Sequence, residues 1–227
     1  MQPIIFHDRI DAGKSLIERL LWLKQNKANE PGKQNIVVVA IPRGGLIIGD
    51  VIASELGAKL DIVVSRKIGA PDDQEFAIGA VMPDGCYFLN EDRIGPLNVS
   101  QRYIEEEARA QLKEINRRLL SYRGSLDYDK EFEHKIVVLV DDGIATGATL
   151  MASAKWIKNT HDCEKLIIAV PVAPRDILDD LNDLADEVVV SYTPDPFIAI
   201  GRFYEDFGQV SDSEVIEIMK KYGYSVK

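Results

Sequence analysis

Short, almost unbroken apolar runs recur along this chain, separated by stretches in which apolar and polar residues follow a helical period. The runs are NIVVVAI (Asn35–Ile41), LDIVVS (Leu60–Ser65), KIVVLV (Lys135–Val140), KLIIAVPV (Lys165–Val172) and EVVVSY (Glu187–Tyr192). They are rich in β-branched residues and do not alternate, which is the pattern of strands buried on both faces, as in a parallel sheet covered by helices. Between them, LIIGDVIASELGA, ATLMASAKWIKNT and PRDILDDLNDLA are amphipathic and of crossover length. Strand–helix–strand alternation predicts an α/β fold, a doubly wound and mostly parallel sheet flanked by helices.

Three regions fall outside that rhythm. Residues 9–25 read as an N-terminal helix with Asp11 as its N-cap. Gln101–Arg123 reads as a long charged helix inserted before the central strand, its acids first and its bases later, in line with the helix dipole. It is expected to face solvent or a second subunit. The tail from Pro194 to Lys227 carries several aromatic residues and a short last helix. AGKS at Ala12–Ser15 has neither a preceding strand nor the spacing of a Walker loop, and reads as part of a helix.

Composition narrows the functional classes. The 227 residues carry a formal charge of −10, so nucleic acid and anionic membranes are not expected partners. Cys86 and Cys163 lack metal-ligand spacing, and His7, His134 and His161 are scattered, which argues against a zinc site or a disulfide framework and for a reducing cytoplasm. No run is long enough to span a bilayer, and the N-terminal residues lack the pattern of a leader.

The chemistry concentrates in KIVVLVDDGIATGATL, Lys135–Leu150. Asp141 and Asp142 stand at the end of a buried strand, where ligands of open α/β sheets bind. The following GIATGAT turns into a helix whose free N–H groups suit a phosphate. Gly143 and Gly147 permit close approach, and Thr146 and Thr149 add hydroxyls. Two unit charges about 5 Å apart at an effective dielectric of about 20 repel by roughly 3 kcal/mol, so the acids are misplaced against the phosphate itself. They fit neutral hydroxyls or a divalent metal. A ligand with a phosphate at one end and a vicinal diol beside it, such as ribose 5-phosphate, satisfies both halves.

VVLVDDGIATGAT resembles the 5-phosphoribosyl-1-pyrophosphate (PRPP) motif of type I phosphoribosyltransferases. PRGG after the first strand, RKIGAP with the following AIGAV, and DFGQVSD near the end extend the likeness to a particular branch of that superfamily over nearly the whole chain. The resemblance implies a single domain over residues 1–227, with a hood formed by about residues 194–227 and the N-terminal segment. It implies that Asp141 and Asp142 hold the ribose hydroxyls, with Mg2+ bound directly or through water, and that Gly143, Ala145, Thr146, Gly147, Ala148 and Thr149 wrap the 5′-phosphate. Arg43, Gly44 and Gly45 correspond to a pyrophosphate loop of unusual backbone conformation. Arg66 and Lys67, before a flexible loop containing Gly69 and Pro71, would neutralise charge on the departing pyrophosphate.

Ala145 departs from the 6-oxopurine enzymes, which carry an aspartate there, and disfavours hypoxanthine or guanine as acceptor. Phe197, Phe203, Tyr204 and Phe207 are candidates for stacking on an acceptor ring, with Phe197 and Tyr204 foremost. The expected activity is transfer of a phosphoribosyl group from PRPP to a nitrogen acceptor in nucleotide metabolism, in a protein of the cytoplasm that is expected to be a homodimer. The alternative is a non-catalytic PRPP-binding regulator. A hydrolase or phosphorylase acting on a phosphoribosyl compound differs from the transferase only in its acceptor. No general base is evident.

Overall fold

The computed structural model describes residues 5–26, 35–128 and 130–226, with the side chains of 25, 26, 92 and 93 excepted. The five apolar runs form one parallel sheet: β1 (Ile36–Ala40), β2 (Lys59–Ile62), β6 (Ile136–Val140), β7 (Lys165–Val172) and β8 (Glu187–Tyr192), in the order β2-β1-β6-β7-β8. β1 and β6 lie in direct register, Ile36 opposite Ile136 and Ala40 opposite Val140. Every residue of β1 is buried, as its unbroken apolar run requires.

Helices cover the sheet. α3 (Gly44–Leu56) joins β1 to β2, α6 (Ala148–Thr160) joins β6 to β7, and α7 (Leu178–Leu184) leads into β8. The chain steps one way from β1 to β2 and the other way from β6 through β8. The switch point therefore lies between β1 and β6, and the loops that follow these strands diverge there. α1 (Arg9–Leu20) packs on α3 and on β7 and β8, burying Ala12, Gly13, Leu16 and Leu20; α2 (Trp22–Asn26) continues it. Its N-cap is Asp8, whose side chain accepts the N–H of Asp11 at 2.8 Å. Asp11, expected as the cap, lies in the first turn and accepts the N–H of His7.

Arg66 and Lys67, expected to precede a loop containing Gly69 and Pro71, open a second sheet, with Gly69 still in its first strand and Pro71 in the connection that follows. β3 (Arg66–Gly69), β4 (Ala77–Val81) and β5 (Tyr87–Leu89) pair antiparallel, and only residues 70–76 between β3 and β4 form a connection. Gly79 is required there by proximity: a Cβ would lie 2.5 Å from the Phe88 carbonyl oxygen. After the short α4 (Glu91–Ile94), the long charged helix is α5 (Gln101–Tyr122), capped by Ser100. One face of it, with Ile104, Ala108, Ile115 and Leu119, packs on β3 and β4, so it is half core and half surface.

The chain ends are joined. Ile5 and Phe6 donate to the Phe203 carbonyl, while Glu205 and Asp206 donate to the carbonyls of Phe6 and His7. α8 (Asp212–Lys221) begins with a capping box between Ser211 and Glu214 and packs on α5 and α3. Residues 1–4 of the N-terminal segment and residue 227, included in the expected hood, lie outside the described residues.

Candidate active site

Two loops meet across the switch point. The first follows β1; its Pro42–Arg43 peptide is cis, and Gly44 opens α3. The second follows β6 and carries Asp141 and Asp142. Gly44 and Gly45 press directly against the acids. A Cβ on Gly44 would lie 1.9 Å from Oδ2 of Asp142, and one on Gly45 would lie 2.9 Å from Cα of Asp141. Glycine is needed here for the space, since neither position has a positive φ.

The acids differ in their partners. Oδ2 of Asp142 accepts Nε of Arg9 at 2.8 Å, in a pair whose side chains are only 12% and 15% exposed. The Asp142 carbonyl accepts the Tyr204 hydroxyl at 2.6 Å. Asp141 accepts the N–H of Asp142 on Oδ1 at 2.8 Å, and among the described residues no cation forms an ion pair with it. Burial, then the neighbouring charge of Asp142, holds the Asp141 carboxyl well above the usual carboxylate range. Burial also raises that of Asp142, against the opposing pull of Arg9.

Beyond the acids, the Ile144 N–H is pinned to the Val172 carbonyl of β7, and the loop turns at Gly147, with φ of 72°, into α6. A Cβ at Gly147 would also lie 2.2 Å from Ile177. As N-cap, glycine supplies no capping side chain, which leaves the first N–H groups of α6 without a side-chain acceptor from the cap. Ala145 and Thr146 are exposed, Ala148 and Thr149 half-buried, and Gly143 buried. Next to this loop, an open cleft of about 690 Å³ is lined by Ala145, by Arg175 and Asp176 after β7, and by Asp195 and Phe197 after β8.

The phosphoribosyl transferase domain model matches residues 7–199. The chain belongs to that family. Two Mycobacterium tuberculosis proteins, both bearing the name "Putative phosphoribosyl transferase", are 38% identical to this chain over 217 residues, 96% of it. The chain spans about half the length, 47%, of these curated relatives. The crystal structure of TT1426 from Thermus thermophilus is 35% identical, covers 96% of this chain and 99% of its own, and superposes with a TM-score of 0.74.

Within this phosphoribosyl transferase domain, the acids, the loop that follows them and Gly44–Gly45 are together at the switch point. The Arg43 side chain points to Asp212 at the start of α8, Nη1 to Oδ1 at 3.3 Å. Arg66 is bound to Gln111 of α5 at 2.8 Å and Lys67 to Glu75 at 2.7 Å, so their partners lie on the second sheet's side and not on the acidic pair. Phe197 lines the cleft and packs against Phe203, ring centroids 5.7 Å apart. Tyr204 is buried behind Asp142, its ring between Phe6 and Phe207. Arg9 was not among the residues expected from the motifs, yet it forms an ion pair with Asp142.

Proposed function

We propose that this domain is a phosphoribosyltransferase that binds PRPP with Mg2+, transfers the phosphoribosyl group to a nitrogen acceptor and releases pyrophosphate. The observation that carries this reading is the meeting of Gly44–Gly45 with Asp141–Asp142 at the sheet's switch point, directly before an uncapped helix start. A diol-binding carboxylate, an anion-binding helix end and a close-packed glycine loop there match the three parts of PRPP.

The acidic pair fits a magnesium ion that arrives with its substrate. Among the described residues, no group of three or more His, Cys, Asp or Glu side chains is placed to hold an ion, whereas Mg2+ is ordinarily held by one or two carboxylates plus substrate phosphates. When bound, the ion would neutralise charge on the pyrophosphate. Asp141 and Asp142 would hold that assembly, directly or through water, against the ribose hydroxyls. The α6 N–H groups and Thr146 and Thr149 hold the 5′-phosphate. The amides of Gly44 and Gly45 face the leaving group, and Arg43, Arg66 and Lys67 turn from their present partners to the pyrophosphate as it departs.

The acceptor enters the cleft beside Ala145. Its nitrogen adds at C1 as the C1–O bond to pyrophosphate breaks, and Phe197 offers a ring to stack on. Holding the two reactants in line supplies most of the acceleration, since no general base is evident.

Pyrophosphate release from PRPP and magnesium, measured with single nucleobases and small aromatic amines, tests the proposal. Release that depends on one acceptor supports it. Saturable PRPP binding without release from any acceptor would favour a PRPP-sensing regulator, and absence of binding would refute both.

A further inference from the structure

Arg9 is the one part of the site that the transferase reading leaves without a task. It sits at the first position of α1, where the helix dipole disfavours a cation. Its guanidinium nevertheless spans three segments. Nε donates to Asp142 at 2.8 Å, Nη1 donates to the Gly208 carbonyl at 2.8 Å, and the group lies 4.0 Å from the centre of the Phe207 ring. Tyr204, from the same C-terminal segment, holds the Asp142 carbonyl. A Cβ at Gly44 would be 2.9 Å from Arg9 Nε as well as 1.9 Å from Asp142 Oδ2, so the pyrophosphate-side loop rests on this ion pair. Oδ2 of Asp142 is thereby enclosed by protein. Asp141 has only a backbone N–H on one oxygen and no ion pair among the described residues.

We infer that Arg9 is a positioning residue that commits Oδ2 of Asp142 to joining the N- and C-terminal segments to the glycine loop, so that Asp142 reaches the ligand with its second oxygen alone and Asp141 carries most of the grip on the sugar. This division of labour rests on the transferase reading for its ligand, while the junction itself does not. Two adjacent acids of the same motif then do different work. Asp142 sets where the Gly44 backbone and the C-terminal segment stand, and Asp141 accepts from the ribose hydroxyls.

The test combines a ligand-free and a ligand-dependent measurement. In urea unfolding, Arg9→Met and Asp142→Asn should be non-additive, the double variant losing little beyond either single one, whereas Arg9→Met with Asp141→Asn should be additive. Additivity of Arg9 with Asp142 would overturn the junction whether or not PRPP binds. In calorimetry with PRPP and magnesium, Asp141→Asn should abolish binding, while Asp142→Asn and Arg9→Met weaken it by about 10- to 100-fold, the range for residues that orient a ligating carboxylate. Arg9→Lys, which keeps a cation at Asp142, should recover part of that loss. Leu16→Ala loosens the same helix without reaching the site and should keep the parent affinity, which separates positioning from general destabilisation.

Equal losses from Asp141→Asn and Asp142→Asn, or unchanged affinity in Arg9→Met, would overturn the division of labour. A parent protein that binds no PRPP would refute the transferase reading and the assignment of Asp141 together, with the unfolding cycle still deciding the junction.

Discussion

Gly44 and Asp142 are so close that a single methyl group on the glycine would lie 1.9 Å from the carboxylate oxygen. They come from different strand–helix units, and the contact exists because β1 and β6 are neighbours whose connections part in opposite directions. Asp142 cannot yield freely, since the same oxygen is held by Arg9. Gly44→Ala should therefore destabilise the fold by about 1–3 kcal/mol, the usual penalty for overpacking. It should also weaken PRPP binding. Gly95→Ala, where no atom lies within 4 Å of the new Cβ, should leave the urea midpoint unchanged. Equal midpoints for the two variants would show that the loop is not tightly seated.

The raised pKa of Asp141 has a consequence for stability. Its unfolded value is about 3.9, and the folded value lies well above that. Protonation therefore favours the folded state: the contribution is complete below about pH 3.9 and is lost as pH rises through the folded value. Above it, the protein holds a half-buried carboxylate that is paired with no cation among the described residues. Asp141→Asn should make the protein more stable than the parent at pH 8, with the difference shrinking towards pH 4. Thermal unfolding across that range checks the sign, and a variant less stable than the parent at pH 8 would contradict it.

Much of this arrangement was legible in the sequence, for reasons that also mark the limit. The five core strands announced themselves because burial on both faces leaves continuous apolar runs, as in Val37–Val39 and Val137–Val140. Asp141, Asp142 and the loop proposed to hold the phosphate were visible because they are contiguous. The second sheet was hidden because β3 opens with Arg66 and Lys67 and β4 uses Ala and Gly where a neighbouring strand leaves no room, so neither shows a continuous β-branched run. Tyr204 and Arg9 lie 62 and 133 positions from Asp142, beyond any local motif. One signal for Arg9 was present. A basic residue at the first position of a helix opposes the dipole and calls for a distant acid, and HDRI at residues 7–10 has that form.

Away from the site, Arg123 and Asp61 form a buried bidentate pair, Nε to Oδ1 at 2.8 Å and Nη2 to Oδ2 at 3.0 Å. Arg123 lies over the Tyr128 ring at 4.3 Å and also donates to the Asp127 carbonyl. The pair ties the end of α5 to β2, the edge strand of the sheet. Arg123→Met leaves Asp61, fully buried, without its cation and should cost about 3–5 kcal/mol. Adding Asp61→Leu to that variant should restore most of the loss, because the uncompensated charge is removed. Urea midpoints of the three variants test this; a double variant as unstable as Arg123→Met would show that packing of the guanidinium, and not its charge, is what matters.

The cleft beside Ala145, the proposed acceptor site, carries the last prediction. Phe197 lines it opposite Ala145, while Tyr204 is turned away behind the acids, so Phe197 is the aromatic face that an acceptor ring can reach. Phe197 also packs on Phe203, and truncation to alanine would disturb that contact. Phe197→Leu keeps an apolar side chain of similar reach and removes only the ring. Loss of stacking should raise the acceptor KM by roughly five- to tenfold, with PRPP affinity unchanged, because Phe197 follows β8 whereas the acids and the proposed phosphate loop follow β6. Initial rates at varied acceptor and fixed PRPP, then the reverse, separate the two constants. If PRPP affinity falls in step with acceptor affinity, the cleft belongs to the PRPP site. An unchanged acceptor KM would mean that the acceptor binds elsewhere.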